Sequence, residues 1–412
     1  MKISVLTLGC KVNQAESSLI EGSLKSSGHK IVNISEKPDI CIINTCTVTS
    51  KSDYQSRQLI RRAHRVGARI IVTGCYSELN KEVVKSMEGV EEIICNNNKL
   101  HIINKLTGKS ADYSLCFSLG TRSRLFIKIQ DGCNYSCSYC AIPKARGISK
   151  SLNPDEIIQK ISKAVSSGYN EIVLTGIHLG TYGHDLEPKV KLSDIVKTIL
   201  KETKIKRIRF SSLEIREIDD ELIDLFSDKR ICDHLHIPLQ SGDDKILSLM
   251  NRAYETNQFS LKIKHIYKRV PGIAIGTDVI VGFPGEGKQE FQNTYDLLED
   301  LPISYMHIFP FSARPMTKAS EMPDNTPSAI KKEHVNILES LNKRKKTEYM
   351  LKQVGKTLVV LVENSNSDGT SCATTSNYLK ILLPSNNHLR GSLIYARIEG
   401  LKGEKLIGVT IS

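Results

Sequence analysis

Three cysteines fall within eight residues in Asp131-Gly132-Cys133-Asn134-Tyr135-Ser136-Cys137-Ser138-Tyr139-Cys140. Thiolates at this C-x3-C-x2-C spacing can hold three irons of a [4Fe–4S] cube and leave the fourth iron without a protein ligand. A cube with four cysteines passes electrons, whereas an open iron can bind and reduce something. Structural zinc wants four closed ligands, usually in two paired half-sites, and no second C-x2-C exists in this chain. A disulfide framework suits small secreted chains; this one has 412 residues and an odd 11 cysteines. Buried free thiols are common, but three beside polar Asn134, Ser136 and Ser138 would make a poor core strand.

Three further cysteines are far apart in sequence but alike in setting. Residues 3–8 read as a buried strand and end in Gly9-Cys10. A helical pattern over about 14–27 follows, with Leu19, Ile20 and Leu24 on one face. Residues 39–44 are a second apolar strand, followed by Thr45-Cys46. Residues 50–66 form a basic helix carrying Arg57, Arg61, Arg62 and Arg65, and the strand at 69–73 ends in Gly74-Cys75. This alternation predicts a doubly wound parallel sheet. The C-terminal strand ends of such a sheet share one edge, where ligands bind. Cys10, Cys46 and Cys75 are thus expected together, as a second metal site or by coincidence. Cys41, inside its strand, and Cys95, after a weaker one, read as core residues.

The elements that must position the C-x3-C-x2-C loop alternate in the same way. Strands are expected at 125–129, 171–175, 207–211, 234–238, 273–281 and 305–309, and Asn153-Pro154 opens a helix. Six strand–helix units predict an open parallel (β/α)6 barrel with its site at the strand C-terminal ends. His178 and His236 read as structural histidines, because no metal spacing includes them. Gly282-Phe283-Pro284-Gly285 is a turn that lacks the ending of a phosphate loop. A helix from about 328 carries Lys343-Arg344-Lys345-Lys346, either a solvated face or an RNA contact. Strands at 357–363, 379–383 and 393–398 predict a small C-terminal β-barrel, with 365–375 as a polar loop.

The bulk numbers agree with an ordinary globular chain, at 40% hydrophobic and 25% charged residues. A net charge of +12 favours a polyanionic partner, nucleic acid before membrane. Aromatic residues are only 6%, with no Trp, so broad base-stacking platforms are not expected. No apolar run approaches the roughly 18 residues that span a bilayer, and residues 3–8 are too short for a signal-peptide core. A cytoplasmic, reducing location is expected, where clustered cysteines bind metal more often than they pair.

The C-x3-C-x2-C loop resembles that of the radical S-adenosylmethionine (SAM) enzymes. Gly9-Cys10-Lys11-Val12-Asn13-Gln14-Ala15-Glu16-Ser17, Asn44-Thr45-Cys46-Thr47-Val48 and Thr73-Gly74-Cys75 resemble the three N-terminal motifs of the methylthiotransferases within that superfamily. Residues 140–147, 171–180, 211–214, 234–242 and 276–286 are similar to that family's barrel motifs. The opening is closest to the subfamily acting on N6-threonylcarbamoyladenosine in tRNA; isopentenyladenosine enzymes typically read Gly-Cys-Gln-Met-Asn there, and ribosomal-protein enzymes Gly-Cys-Pro-Lys-Asn. Ile148-Ser149-Lys150-Ser151 departs from relatives that often carry an arginine.

The resemblance implies three units: residues 1–112 with an auxiliary cluster, a radical SAM partial barrel over 113–345, and a tRNA-binding β-barrel of the TRAM type over 346–412. It implies two [4Fe–4S] clusters, one on Cys133, Cys137 and Cys140 and one on Cys10, Cys46 and Cys75. By analogy, Thr175 and Gly176 approach the methionine end of SAM, and Glu214, Gln240 and Asp278 bond its amino group, its ribose or the reacting nucleoside. The implied reaction inserts a methylthio group at adenine C2 of a base splayed from the tRNA anticodon stem-loop. The implied partner besides tRNA is a small electron donor of flavodoxin or ferredoxin type. Alternatives are methylthiolation of isopentenyladenosine or of a ribosomal-protein side chain and, in a different class, a non-enzymatic iron–sulfur RNA-binding redox sensor.

Overall fold

A computed structural model of the chain describes residues 1–108, 116–117, 122–323, 326–366, 369–384 and 389–411. The N-terminal unit comprises β1 (Lys2–Thr7), α1 (Lys11–Ser26), β2 (Lys30–Ile31), β3 (Ile40–Thr45), α2 (Ser50–Arg65), β4 (Arg69–Gly74), α3 (Cys75–Leu79), α4 (Lys81–Lys85), β5 (Val90–Ile93) and α5 (His101–Thr107). Its parallel strands lie in the order β2-β1-β3-β4-β5. A central strand of a parallel sheet is covered on both faces and therefore reads as a continuous apolar run. Accordingly, Cys41 and Ile43 of β3 pack against Ile60 and Ala63 of α2, while Ile40 and Ile42 pack against Ile20 and Leu24 of α1.

The second unit contains β6 (Leu125–Lys128), β7 (Gln130–Asp131), α6 (Ile142–Arg146), β8 (Lys150–Ser151), α7 (Pro154–Ser166), β9 (Glu171–Thr175), α8 (Leu192–Glu202), β10 (Arg207–Phe210) and α9 (Asp220–Asp224). It continues through β11 (His234–His236), α10 (Asp244–Leu249), α11 (Thr256–Arg269), β12 (Ala274–Val281), α12 (Lys288–Asp300) and β13 (Tyr305–Pro310). Two parallel three-stranded sheets, β10-β9-β6 and β11-β12-β13, are joined through the Ile208–Ile231 and Ser212–His236 bridges. The result is an open six-stranded barrel. The Asn153 carboxamide accepts the Asp155 amide and caps α7, with Pro154 at its first position, as the sequence predicts.

Alternation along the strands sorts the barrel's residues. Ile172, Leu174, Ile208, Phe210, Leu235, Ile275 and Val279 join the core under the helices. The opposite set faces the space the strands enclose and is polar: Glu171 and Thr175, Arg207 and Arg209, His234 and His236, Asp278, Tyr305 and His307.

The chain ends in α13 (Ser328–Leu351) and a closed barrel of β14 (Thr357–Ser365), β15 (Thr370–Thr375), β16 (Lys380–Pro384), β17 (Leu393–Lys402) and β18 (Lys405–Ile411), ordered β14-β15-β16-β18-β17. Helix α13 runs unbroken past residue 345. The polar loop expected at 365–375 contains a strand, β15, whose hydroxyl-rich sequence carries little hydrophobic signal. It forms because β14 and β16 pair with both its edges. Within the Lys343–Lys346 run, Arg344 binds the Glu299 carboxylate, Lys345 its carbonyl at 2.7 Å, and Lys346 the Glu404 carboxylate at 2.6 Å. Much of that charge therefore ties α13 to its neighbours. Among the described residues, no helix is long and apolar enough to cross a membrane.

Glu171 anchors the floor of the central barrel. It is fully buried, 3.1 Å from Arg207 and from Arg209 and 3.4 Å from Arg124. Arg209 also donates to the carbonyls of Ser376 and Thr375 at 2.8 and 3.1 Å, so the same charges dock the C-terminal barrel. Burial alone would raise the Glu171 pKa, but the three guanidiniums hold its carboxyl down to about 2. Because that folded value lies below the unfolded one of about 4.3, the carboxylate's stabilisation is full at neutral pH. It is lost as pH falls from about 4 toward 2. Glu171→Gln is expected to cost about 3–5 kcal/mol by leaving buried arginines unpaired, read as a lower urea midpoint at pH 7 and a smaller difference from wild type below pH 3.

Candidate active site

Cys10, Cys46 and Cys75 sit where β1, β3 and β4 end. Those strands are neighbours in register, with Thr7 opposite Asn44 and Thr45 opposite Gly74. Cys10 is the N-cap of α1 and Cys75 opens α3. Two glycines let the edge close. A Cβ on Gly9 would stand 2.7 Å from Cys46 Sγ, and one on Gly74 would stand 2.3 Å from the Thr45 carbonyl; both have positive φ, at +95° and +105°. The Asn13 carboxamide donates to the carbonyls of Leu8 at 2.8 Å and Thr45 at 3.0 Å, which fixes the first two cysteine loops against each other. Burial pushes the Cys46 thiol up to about 11. Such a thiol stays protonated and unreactive until a metal displaces the proton.

The second trio lies beyond β6 and β7. Gly132 has φ +69°, and a Cβ there would lie 1.9 Å from the Ile148 carbonyl. The loop is stapled down by Cys133 N to the Gly147 carbonyl at 3.1 Å and Ser138 N to the Met250 carbonyl at 3.0 Å. Burial pushes the Cys140 thiol up to about 12. Among the described residues, His236, Asp278 and His307 are the group of three whose ligand atoms all lie within 4.8 Å of one another. The soft donor chemistry of each cysteine trio fits iron–sulfur.

A buried charge network joins the two sites. Arg146, at the end of the C-x3-C-x2-C loop, lies with Nε 3.3 Å from Cys75 Sγ. Its Nη1 donates to Glu16 at 3.0 Å and to Asp131 at 2.9 Å, and its Nη2 donates to Asn13. Lys128 bridges Glu16 at 3.0 Å and Asp131 at 2.9 Å, and Lys99 also binds Glu16. Against the burial that opposes ionisation, Lys128, Lys99 and Arg146 hold the Glu16 carboxyl well below the usual carboxylate range. The network thus fixes one set of cysteines against the other.

The residues expected to hold SAM and nucleoside surround the barrel mouth. Thr175 Oγ1 and Ser211 Oγ are buried without hydrogen-bond partners, as groups awaiting a polar ligand would be. A Cβ on Gly176 would lie 2.7 Å from Gln130 Oε1, and the Gln130 amide donates to the Gly132 carbonyl at 2.9 Å; the missing side chain lets β9 brace the cluster loop. Glu214 is bound by Arg252, which reaches Cys137 Sγ at 3.5 Å. Both line a cavity of about 220 Å³ with Asn134, Tyr135 and Cys137. Gln240 has φ +69°, and its backbone is paired to Asp278 and Ile280 at 2.8 and 2.9 Å. Asp278 lies 3.2 Å from both His236 and His307, which hold its carboxyl low against burial.

Several contributors escaped the motif reading. His178, expected to be structural, has Nδ1 3.2 Å from Cys133 Sγ and its other nitrogen against Glu217. Cys95, expected in the core, is half-buried and 3.5 Å from Lys81 Nζ. Glu16 and Arg146 stand within the motifs quoted above, but their pairing with each other and with Lys128 carries no local signal. His307 could have been found from its period-two spacing with Tyr305.

Comparisons with known proteins place this geometry. Residues 127–298 match the Radical SAM superfamily, and residues 2–96 match the uncharacterized protein family UPF0004. The threonylcarbamoyladenosine tRNA methylthiotransferase MtaB of Aquifex aeolicus is 37% identical, over 92% of this chain and 96% of that protein. The chain belongs to the threonylcarbamoyladenosine tRNA methylthiotransferase family. The member of that family from Bacillus subtilis is 34% identical, over 95% of this chain and 92% of its own length. A tRNA-2-methylthio-N(6)-dimethylallyladenosine synthase of Syntrophobacter fumaroxidans is 30% identical over 98% and 95%. Among solved structures, the radical SAM methyltransferase TsrM of Kitasatospora setae superposes with a TM-score of 0.57 at 12% identity, over 77% of this chain and 76% of that one. That likeness concerns the fold. Family membership brings SAM and a [4Fe–4S] cluster with it.

Arg146→Met is expected to leave Glu16 and Asp131 short of a cation and to cost about 3–5 kcal/mol. Hydrogen exchange would register it as lost protection in α1 and α6 together; unchanged protection there would show that the junction does not depend on Arg146.

Proposed function

We propose that this chain inserts a methylthio group at C2 of N6-threonylcarbamoyladenosine beside the anticodon of tRNA. The observation that supports the reading is Arg146, which follows the loop of one cysteine trio and lies 3.3 Å from Cys75 of the other and 2.9 Å from Asp131. Cys133, Cys137 and Cys140 would hold the cluster that takes SAM; Cys10, Cys46 and Cys75 would hold a second. When bound, two [4Fe–4S] clusters and SAM supply the electron, the hydrogen abstraction at C2 and the methylated sulfur, none of which a side chain can provide.

The chain's own residues bind, orient and shield. Thr175, Ser211 and Glu214 offer polar atoms for the SAM amino-acid and ribose groups, on a floor set by Gly176. Gln240 and Asp278 stand at the mouth for the adenosine, with Asp278 held ionised as an acceptor by His236 and His307. Tyr305, 6.5 Å from Tyr378 of the C-terminal barrel, helps cover the enclosed space and limits water near the reacting carbon. A splayed anticodon-loop base can reach such a mouth. A low-potential flavodoxin or ferredoxin would deliver the electron, and the work would take place in the cytoplasm.

Anaerobic reconstitution should load about eight irons, two cubes' worth, and support SAM cleavage. Four irons and no 5′-deoxyadenosine would return the reading to a redox sensor. Cys10→Ala should still cleave SAM but release no methylthio nucleoside; full thiolation by that variant would remove the role given to the N-terminal trio. In a strain lacking the chain, tRNA nucleoside mass spectrometry should show threonylcarbamoyladenosine without its methylthio form, and an unchanged profile would refute the assignment.

A further inference from the structure

Between α1, strands β6, β9 and β10, and the C-terminal barrel lies a cavity of about 240 Å³ whose lining includes Lys11, Arg122, Arg124, Arg209, Tyr378 and Arg390. Pockets that enclose a whole small ligand run from roughly 300 to 1,000 Å³, so this one suits a side group of something larger. Five of the eleven residues that line it are cations, against one carboxylate. The carboxylate on the wall, Glu363, is already engaged by Arg124, Lys380 and Thr374. The cavity therefore presents excess positive charge to whatever enters.

Its cations are not equivalent. Arg209 is spent on Glu171 and two carbonyls of the C-terminal barrel. Arg124 is bound to Glu363 and lies 3.4 Å from Glu171, and Arg122 donates to Gln14. Lys11 differs. Its ammonium makes no hydrogen bond or ion pair among the described residues and rests only over the Tyr378 ring, 5.9 Å from its centroid. Lys11 also follows Cys10 directly and lies close enough to Asp278 for that charge to act on it. An uncommitted cation thus stands between the N-terminal cysteine edge and the barrel mouth.

The substrate supplies a matching group. A threonylcarbamoyl substituent at N6 ends in the free carboxylate of threonine, whereas a dimethylallyl substituent is hydrocarbon. We propose that this cavity binds the threonylcarbamoyl carboxylate, with the Lys11 ammonium as its direct partner and Arg124 and Arg209 as fixed background charge. The inference rests on the substrate reading above, and it makes Lys11 a specificity-determining residue for that substrate. A side group anchored there would fix the adenine ring by its N6 edge and leave C2 on the opposite flank of N1 free to face the reacting groups.

An RNA phosphate is an anion too, so the test separates the two sources. Anticodon stem-loop RNAs would carry threonylcarbamoyladenosine, its carboxylate methyl ester, or plain adenosine. Binding would be read by fluorescence anisotropy, with turnover measured separately. Wild type should bind the acid form about ten- to a hundredfold more tightly than the ester, the range for a hydrogen bond to a charged group. Lys11→Gln should bind acid and ester alike, near the wild-type ester affinity, and Lys11→Arg should restore most of the preference and show that the site still folds. If Lys11→Gln keeps the wild-type preference, or weakens all three RNAs equally as a phosphate contact would, the proposal is overturned. If wild type prefers the acid form yet methylthiolates none of the RNAs, the reaction assignment fails while the carboxylate site stands.

Discussion

The guanidinium of Arg146 is the contact on which the rest of the molecule depends. It belongs to the loop of one cysteine trio and lies 3.3 Å from a sulfur of the other. It can hold that position because Glu16 and Asp131 supply the negative charge that burial demands, with Lys128 and Lys99 completing the set. A buried charge without partners costs several kcal/mol, so each member constrains the others. The N-terminal sheet cannot rotate against the barrel without stranding one of them, and the two sites face each other as a consequence.

A second layer of buried charge works at the opposite end of the barrel. Glu171 and its three arginines close the floor, and Arg209 extends from that floor to the backbone of β15 and the turn after it. Between floor and mouth the enclosed space changes character. Ion pairs give way to the rings of His234, Tyr305 and Tyr378, and those to the unpartnered hydroxyls of Thr175 and Ser211 and the Asp278 carboxylate. Such a gradient concentrates charge at the far end while leaving polar atoms available near the cysteines. The positive cavity around Lys11 opens sideways from it, at the seam of all three units.

Much of this was legible in the residues. The apolar runs that became β1, β3 and β4 each ended in a cysteine, and the parallel-sheet rule placed those ends on one edge. The period-two alternation of the barrel strands could also be followed, since one face was apolar throughout. What escaped was whatever depended on pairing rather than pattern. β15 is a strand because β14 and β16 hold both its edges, and its own hydroxyl-rich sequence reads as loop. The basic run in α13 reads as a solvated face or an RNA contact; its pairing with Glu299 and Glu404 is not legible, because both are distant in sequence and only folding brings them beside it. His178 looked like a core histidine, and only the turn after β9 places its ring against Cys133.

The sequence by itself determined where the motif cysteines stand, the glycines at the backbone positions those loops require, and a doubly wound sheet leading into an open barrel. Local spacing and strand periodicity suffice for that, because they follow from the geometry of a few consecutive residues. The tertiary structure decided how the two cysteine sets meet, which arginines are committed, and that Lys11 has no hydrogen-bond or ion-pair partner among the described residues. Those outcomes depend on groups brought together from far apart in sequence, as Glu16 with Arg146 and Arg209 with the Ser376 carbonyl. Only folding fixes which buried charges satisfy one another and which is left to meet a ligand.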